Sequence, residues 1–398
     1  MRKRQKSGFK RFLICIVYAV YSLYYIADME TSANVVVKQT ASRSSVHMYL
    51  VALIGILGVY MAARTIYRLD FRISRINIPL IALACWGVVS DVLNGAGFWS
   101  IAVHIGLIVL WVFVIYFMND VVVDEKTYKM ALLFECVIWV VTMYYSFVAL
   151  ANFANYTGDG IGSVLNISYN VLVLIPFLLQ IKNKFLRYST MLVSCGFIVL
   201  SMKRGAIVVM VIMLAVYYYI QSKSGKAKKL SPGRVIVIIA MLVLAFVIVN
   251  KISNGFLLTR FSISELISGS DRDLLYGSAI SDIKSRSFID LLIGKGSGSS
   301  LNIIGNGVHN EILEMIFSYG IIGLGIYLWL IVRGINTLRQ LLKQKNSATA
   351  YYAMALVYII FVGFVGTALF AHYTFHIMAA LGISSSYLVK NEKVLLKR

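Results

Sequence analysis

Residues 98–117 read FWSIAVHIGLIVLWVFVIYF, twenty consecutive positions without an Asp, Glu, Lys or Arg. A helix that crosses a bilayer needs roughly 20 mostly apolar residues, so this stretch reads as a transmembrane helix. Reading outward from it, similar runs fall near 12–27, 47–67, 78–93, 130–155, 167–181, 188–202, 206–221, 235–252, 311–332, 351–370 and 372–389. The expected fold is an all-α polytopic membrane protein with about 12 transmembrane helices and one long, partly helical external loop. Three parts follow: spans one to nine over residues 1–252, the external loop over 253–310, and the last three spans with a short tail over 311–398.

The whole chain agrees. Of its 398 residues, 59% are apolar and only 14% charged, against about 25% charged in a soluble domain. A large water-exposed enzyme is excluded on that ground. Arg2-Lys3-Arg4 precede the first apolar run as in a signal peptide, but no A-x-A site follows, so an uncleaved anchor is expected. Cys15, Cys85, Cys136 and Cys195 lie inside apolar runs without metal-ligand spacing, so they read as small buried hydrophobes rather than a zinc site or disulfide framework.

The net charge of +21 raises the possibility of a polyanion partner. Its distribution removes it. With the N-terminus inside, 28 of the 38 Lys and Arg and 5 of the 17 acids fall on the cytoplasmic side, a local net of +23. That is the positive-inside bias, and nucleic-acid binding is not needed. The basic connector 222–234, SKSGKAKKLSPGR, then reads as a contact for anionic lipid.

The functional candidates are the residues that break this bias. In the tight external turn Ser201-Met202-Lys203-Arg204-Gly205-Ala206, two adjacent cations either snorkel to headgroups or hold an anionic substrate. In the long loop, Ser270-Asp271-Arg272-Asp273 resembles a capping box opening an amphipathic helix to about Arg286. Arg272, Tyr276, Ala279 and Ile283 share its inner face. The turn Gly294-Lys295-Gly296-Ser297-Gly298 is either a flexible connection or a set of backbone N–H groups converging on an anion. His309 stands at the N-terminus of the tenth span in Asn306-Gly307-Val308-His309-Asn310-Glu311-Ile312-Leu313-Glu314, where the helix dipole favours anions and a neutral imidazole can accept a proton. Glu311 and Glu314 match that dipole or orient His309. The stretch Gly320-Ile321-Ile322-Gly323-Leu324-Gly325 has the small-residue spacing of close helix packing. Two intramembrane acids stand apart in sequence: Glu135, a turn inside the fifth span and within reach of the interface, and Asp91, near the external end of the third.

The order of these motifs resembles the bacterial O-antigen ligase/polymerase family of membrane glycosyltransferases. The matching positions are Ser201 and Arg204, Arg272, Gly294 and Gly296, His309-Asn310 with Leu313 and Glu314, and then Ile321, Ile322, Gly323, Leu324, Tyr327 and Leu328. The motifs cover about 200–330, and the first half of the chain matches in hydropathy alone. The resemblance implies polymerisation of undecaprenyl-pyrophosphate-linked repeat units, without metal or cofactor, on the outer face of the bacterial cytoplasmic membrane. It implies catalytic roles for His309, Arg204 and Arg272. Lys203, Asn310, Gly294, Gly296, Arg286 and Arg260 are expected to bind substrate, the last two being alternatives to Arg272. Membrane lipids, a chain-length regulator and a flippase are the implied partners. Two other activities remain open: a ligase moving finished polymer to another acceptor, and a flippase for the lipid-linked oligosaccharide.

Overall fold

The computed structural model describes residues 2–34, 44–68, 75–122, 124–157, 165–223, 272–305, 307–344 and 348–395, with short pieces between 247 and 262. Every regular element among them is helical. In chain order these are α1 (Arg2–Asn34), α2 (Ser44–Arg68), α3 (Asn77–Leu93), α4 (Phe98–Val121), α5 (Glu125–Thr157), α6 (Ser168–Leu172), α7 (Ile175–Leu178), α8 (Lys184–Leu200) and α9 (Arg204–Lys223). They continue as α10 (Arg272–Ser285), α11 (Phe288–Ile293), α12 (Ser299–Ile304), α13 (Glu311–Lys343), α14 (Ala348–Val365) and α15 (Phe375–Leu395).

Seven of the described helices are long and apolar enough to cross a membrane: those carrying Gly8–Glu30, Met48–Ile66, Ile101–Val121, Glu125–Asn152, Arg204–Lys223, Glu311–Lys343 and Ala348–Val365. Shorter apolar helices occupy Asn77–Leu93, Ser168–Leu178 and Phe375–Ser386. The run 167–181 forms the shorter apolar helix Ser168–Leu178. Val173 and Leu174, between α6 and α7, keep right-handed helical backbone angles, and Pro176 stands in the first turn of α7, where its missing N–H costs nothing. Most of the run at 235–252 lies outside the described residues.

The chain divides into two compact units. The first holds residues 1–49, 124–266 and 345–355. Its centre is α1 packed along α5, and the contact is more polar than hydropathy suggests. Tyr18 donates to Glu135 Oε1 at 2.7 Å and stacks on Phe134. Tyr25 pairs with Thr142 at 2.9 Å. Glu135 therefore does not reach an interface; it is 0% exposed. A buried carboxyl group needs hydrogen-bond partners, and Tyr18 of α1 supplies one to Oε1.

The second unit holds residues 50–123, 267–344 and 356–398. Here α3 packs on α4 and α13, and α4 on α15. Asp120 of α4 takes Arg64 at 2.5 Å and the Tyr60 hydroxyl at 2.6 Å from α2. Trp111 of α4 donates to Leu369 O at 2.6 Å, which uses the indole N–H that a buried tryptophan must satisfy. The helix α13 is broken at Gly320, whose φ of 69° and ψ of −169° lie outside the helical region. That break organises the surroundings of the site.

Candidate functional site

The expected residues fall in both units. In the first, α8 and α9 are joined by Ser201-Met202-Lys203. Met202 adopts φ 54° and is fully buried, a left-handed conformation uncommon for a non-glycine residue. Ser201 O accepts from Leu165 N at 3.0 Å, and Ser201 Oγ donates to Ile198 O at 2.7 Å. The turn is thereby fixed from below. It leaves Lys203 half-buried, with Nζ 6.0 Å from the centre of the Tyr169 ring, within cation–π range. Arg204 is the first residue of α9 and is also half-buried. Tyr169 is a neighbour that linear reading does not find, because nothing in its local sequence marks it.

In the second unit, the described part of α10 begins at Arg272. The Arg272 side chain, the capping residues Ser270 and Asp273, and Arg260 all lie outside the residues whose side chains are described. The helix face is resolved beyond that point. Ala279 is fully buried with Val308 and Phe317, and Tyr276 and Ile283 pack against the same cluster with Ile304 and Leu313. The positions at i, i+3 and i+7 thus meet the start of α13.

Arg286, expected to hold substrate, closes α10 instead. Its guanidinium lies 4.1 Å from the centre of the Phe317 ring, donates to Phe317 O at 2.9 Å and to Asp282 Oδ2 at 2.7 Å, and its side chain is 2% exposed. The break in α13 explains why. A helix that bends at Gly320 frees the carbonyls of the preceding turn, and buried carbonyls need donors. Arg286 takes Phe317 O, and Trp86 Nε1 donates to Tyr319 O at 2.8 Å.

The glycine-rich turn fills the remaining positions. Lys295 N donates to Phe317 O at 3.0 Å and Gly296 N to Ser318 O at 2.9 Å. Gly294 N bonds Asp290 O at 2.8 Å, and Ser297 N bonds Asp91 Oδ1. These four amides are engaged within the fold, so the expectation that they converge on an anion is corrected: Gly294 and Gly296 let two backbones touch. A Cβ on Gly294 would collide with Ser318 O, and one on Gly320 would collide with Leu292 O. Asp91 belongs to this clasp, its second oxygen taking Ser297 Oγ at 2.7 Å, while Tyr319 OH pairs with the same serine at 2.7 Å. Lys295 Nζ lies 2.8 Å from Asp290, and that hydrogen bond holds the Asp290 carboxyl below the usual aspartate range.

His309 lies just before the N-cap of α13. It is exposed, takes φ 53°, and immediately precedes the helix. Asn310 is the N-cap: its side-chain oxygen accepts from Ile312 N and Leu313 N at 3.0 and 3.1 Å, and its Nδ2 donates to Phe364 O at 3.2 Å. Glu311 and Glu314 both lie in the first turn of α13, as expected for the dipole, and each also takes hydrogen bonds within the fold. Glu311 accepts from Leu369 N at 2.9 Å and from Ala368 N. Glu314 accepts from Ser300 and Ser318 hydroxyls, each at 2.9 Å. The imidazole is thus presented on a firmly tied corner, beside a helix N-terminus. Among the described residues, no group of three or more His, Cys, Asp or Glu side chains could hold a metal ion.

Comparison of the chain with protein-family models and with curated proteins finds no match.

Proposed function

We propose that this protein is a membrane glycosyltransferase that polymerises undecaprenyl-pyrophosphate-linked oligosaccharide repeat units on the outer face of the bacterial cytoplasmic membrane. In this reading the chain crosses the membrane about twelve times with both termini cytoplasmic, and residues 253–310 form the external loop. Donor and acceptor are both lipid-linked glycans. The product is an O-antigen, capsular polysaccharide or exopolysaccharide, and a flippase and a chain-length regulator act beside the enzyme.

The observation that supports this most is the setting of His309: an exposed imidazole, fixed in a left-handed backbone conformation beside the Asn310-capped start of α13. The neutral imidazole takes the proton of an acceptor sugar hydroxyl. The hydroxyl oxygen then bonds the donor's anomeric carbon as the bond from that carbon to the pyrophosphate oxygen breaks. The pyrophosphate leaves with the electron pair, and Arg204 and Arg272 stabilise its charge. Lys203 adds a further cation at the same turn. Asn310 acts on His309 through the helix cap.

Purified protein in proteoliposomes, given lipid-linked repeat units but no nucleotide and no ion gradient, lengthens them. Repeat units that cross the bilayer unpolymerised in a protein-dependent manner would replace this reading with a flippase. Transfer of preformed polymer to a second acceptor, with no lengthening, would replace it with a ligase.

A further inference from the structure

Between α2, α3 and α4 the side chains leave a cavity of about 250 Å³, and all of its lining residues belong to the second unit. The sequence of α3 explains the space. Asn77, Ile81, Ala84 and Cys85 fall at i, i+4, i+7 and i+8 and so share one side of the helix, and the last two are small. Val112 and Phe113 of α4 line the same space. From Asn77 to Cys85 the lining runs about 12 Å along α3, at 1.5 Å per residue. Cys85 is the exposed one of the four cysteines, so the cavity opens beside it.

Asn77 departs from this largely apolar lining. It is 1% exposed. Its Nδ2 donates to Val112 O at 3.2 Å, which assigns the two ends of the amide, since only the nitrogen can donate. Oδ1, the other end, has no hydrogen-bond partner among the described residues. A buried acceptor left unmet is costly, so an asparagine here suits a cavity whose occupant brings a donor. Water settles only where it finds two to four polar partners, and an apolar cavity of about 150 Å³ stays dry and takes up benzene instead. Among the described residues, no Asp, Glu, Lys, Arg or His lines the cavity. An ion would be buried there without a counter-charge, so the occupant is neutral.

We propose that this cavity binds a neutral molecule with an apolar body and one hydroxyl group. The hydroxyl donates to Asn77 Oδ1, and the apolar part lies along α3 toward Cys85. Such a ligand meets both features at once: it covers the hydrocarbon of Ile81, Ala84 and Phe113 and pairs the buried acceptor. A saturated acyl chain would do the first and leave the acceptor unmet. This binding is independent of the glycosyltransferase reading and of the site at His309.

Photolabelling tests it. The probe is octan-1-ol bearing a diazirine on its chain, photolysed with the full chain in detergent, and peptide mapping by mass spectrometry should place the adduct on α3 and α4 around the cavity. Octan-1-ol should displace the probe at a roughly two- to tenfold lower micellar concentration than 1-methoxyheptane, the net worth of one hydrogen bond. The two molecules have equal numbers of heavy atoms, but the ether has no O–H. Ala84→Phe, which fills the cavity, should abolish labelling there, and Asn77→Leu should erase the preference for the alcohol; thermal unfolding of both variants is recorded alongside. Adducts scattered over the protein surface, or equal displacement by alcohol and ether, would overturn the proposal. So would undiminished labelling of an Ala84→Phe protein that unfolds like the wild type. The contrast between alcohol and ether is read on the wild type, so it stays decisive if a variant fails to fold.

Discussion

Replacing Gly294 by alanine perturbs the backbone clasp on which α11, the glycine turn and the broken α13 converge. Gly294 has φ 84° and ψ −171°, a region essentially confined to glycine, where an L side chain costs about 1–3 kcal/mol. The added Cβ would also collide with Ser318 O and stand 2.5 Å from Gly320 N, and both are backbone atoms that cannot rotate away. Separating the strands of the clasp weakens the bonds from Lys295 N and Gly296 N, each worth about 0.5–1.5 kcal/mol net. The expected loss is roughly 3–5 kcal/mol, the backbone cost and the weakened bonds together. Gly305 supplies the control, since its φ is 80° but no atom lies within 4 Å of where an added Cβ would sit. Gly305→Ala therefore costs only about 1–2 kcal/mol, that of a left-handed backbone. Thermal unfolding in detergent at a fixed scan rate, followed by tryptophan fluorescence, should place Gly294→Ala well below Gly305→Ala. A gap of about 2 kcal/mol corresponds to roughly 4–8 °C in a unit of a couple of hundred residues. Equal melting of the two variants would refute the argument that close backbone approach, rather than turn conformation, demands glycine at 294.

Three further outcomes follow from the same geometry. Arg286→Lys keeps the charge but loses the planar fork stacked on Phe317. It should destabilise nearly as much as Arg286→Ala, about 2–4 kcal/mol in unfolding measurements, whereas a substrate-binding role would instead raise KM with stability intact. Asn310→Ala removes the cap on α13 at a cost of about 1 kcal/mol, and Asn310→Asp should restore most of the stability. Arg204→Lys should lower polymer turnover at unchanged protein level, because a lysine cannot hold a phosphate bidentately; unchanged turnover would argue against that contact.

Much of this could be read from the chain because it is local. The apolar run at 98–117 needs no partner to be recognised, and α4 spans Phe98–Val121. The i, i+3, i+7 pattern at Tyr276, Ala279 and Ile283 gives the buried face of α10, since helical periodicity alone sets which side chains align. What linear reading misses is distant in sequence. Asp91 and Ser297 are 206 positions apart, so neither neighbourhood signals that one receives the other. The glycine turn has the composition of an anion nest, yet its amides meet carbonyls released by the bend at Gly320. Glu135 shows the same limit: its acceptor role depends on Tyr18, 117 residues earlier.

The central claim rests on the exposed imidazole at the start of α13. The most direct test reconstitutes wild-type protein and His309→Ala side by side, supplies one lipid-linked repeat unit, and resolves the products by length. The wild type should produce a ladder of longer chains. His309→Ala should fold and melt like the wild type yet polymerise about 10²–10⁴-fold more slowly, the usual contribution of a general base. A ladder of equal rate and length from His309→Ala would contradict the account.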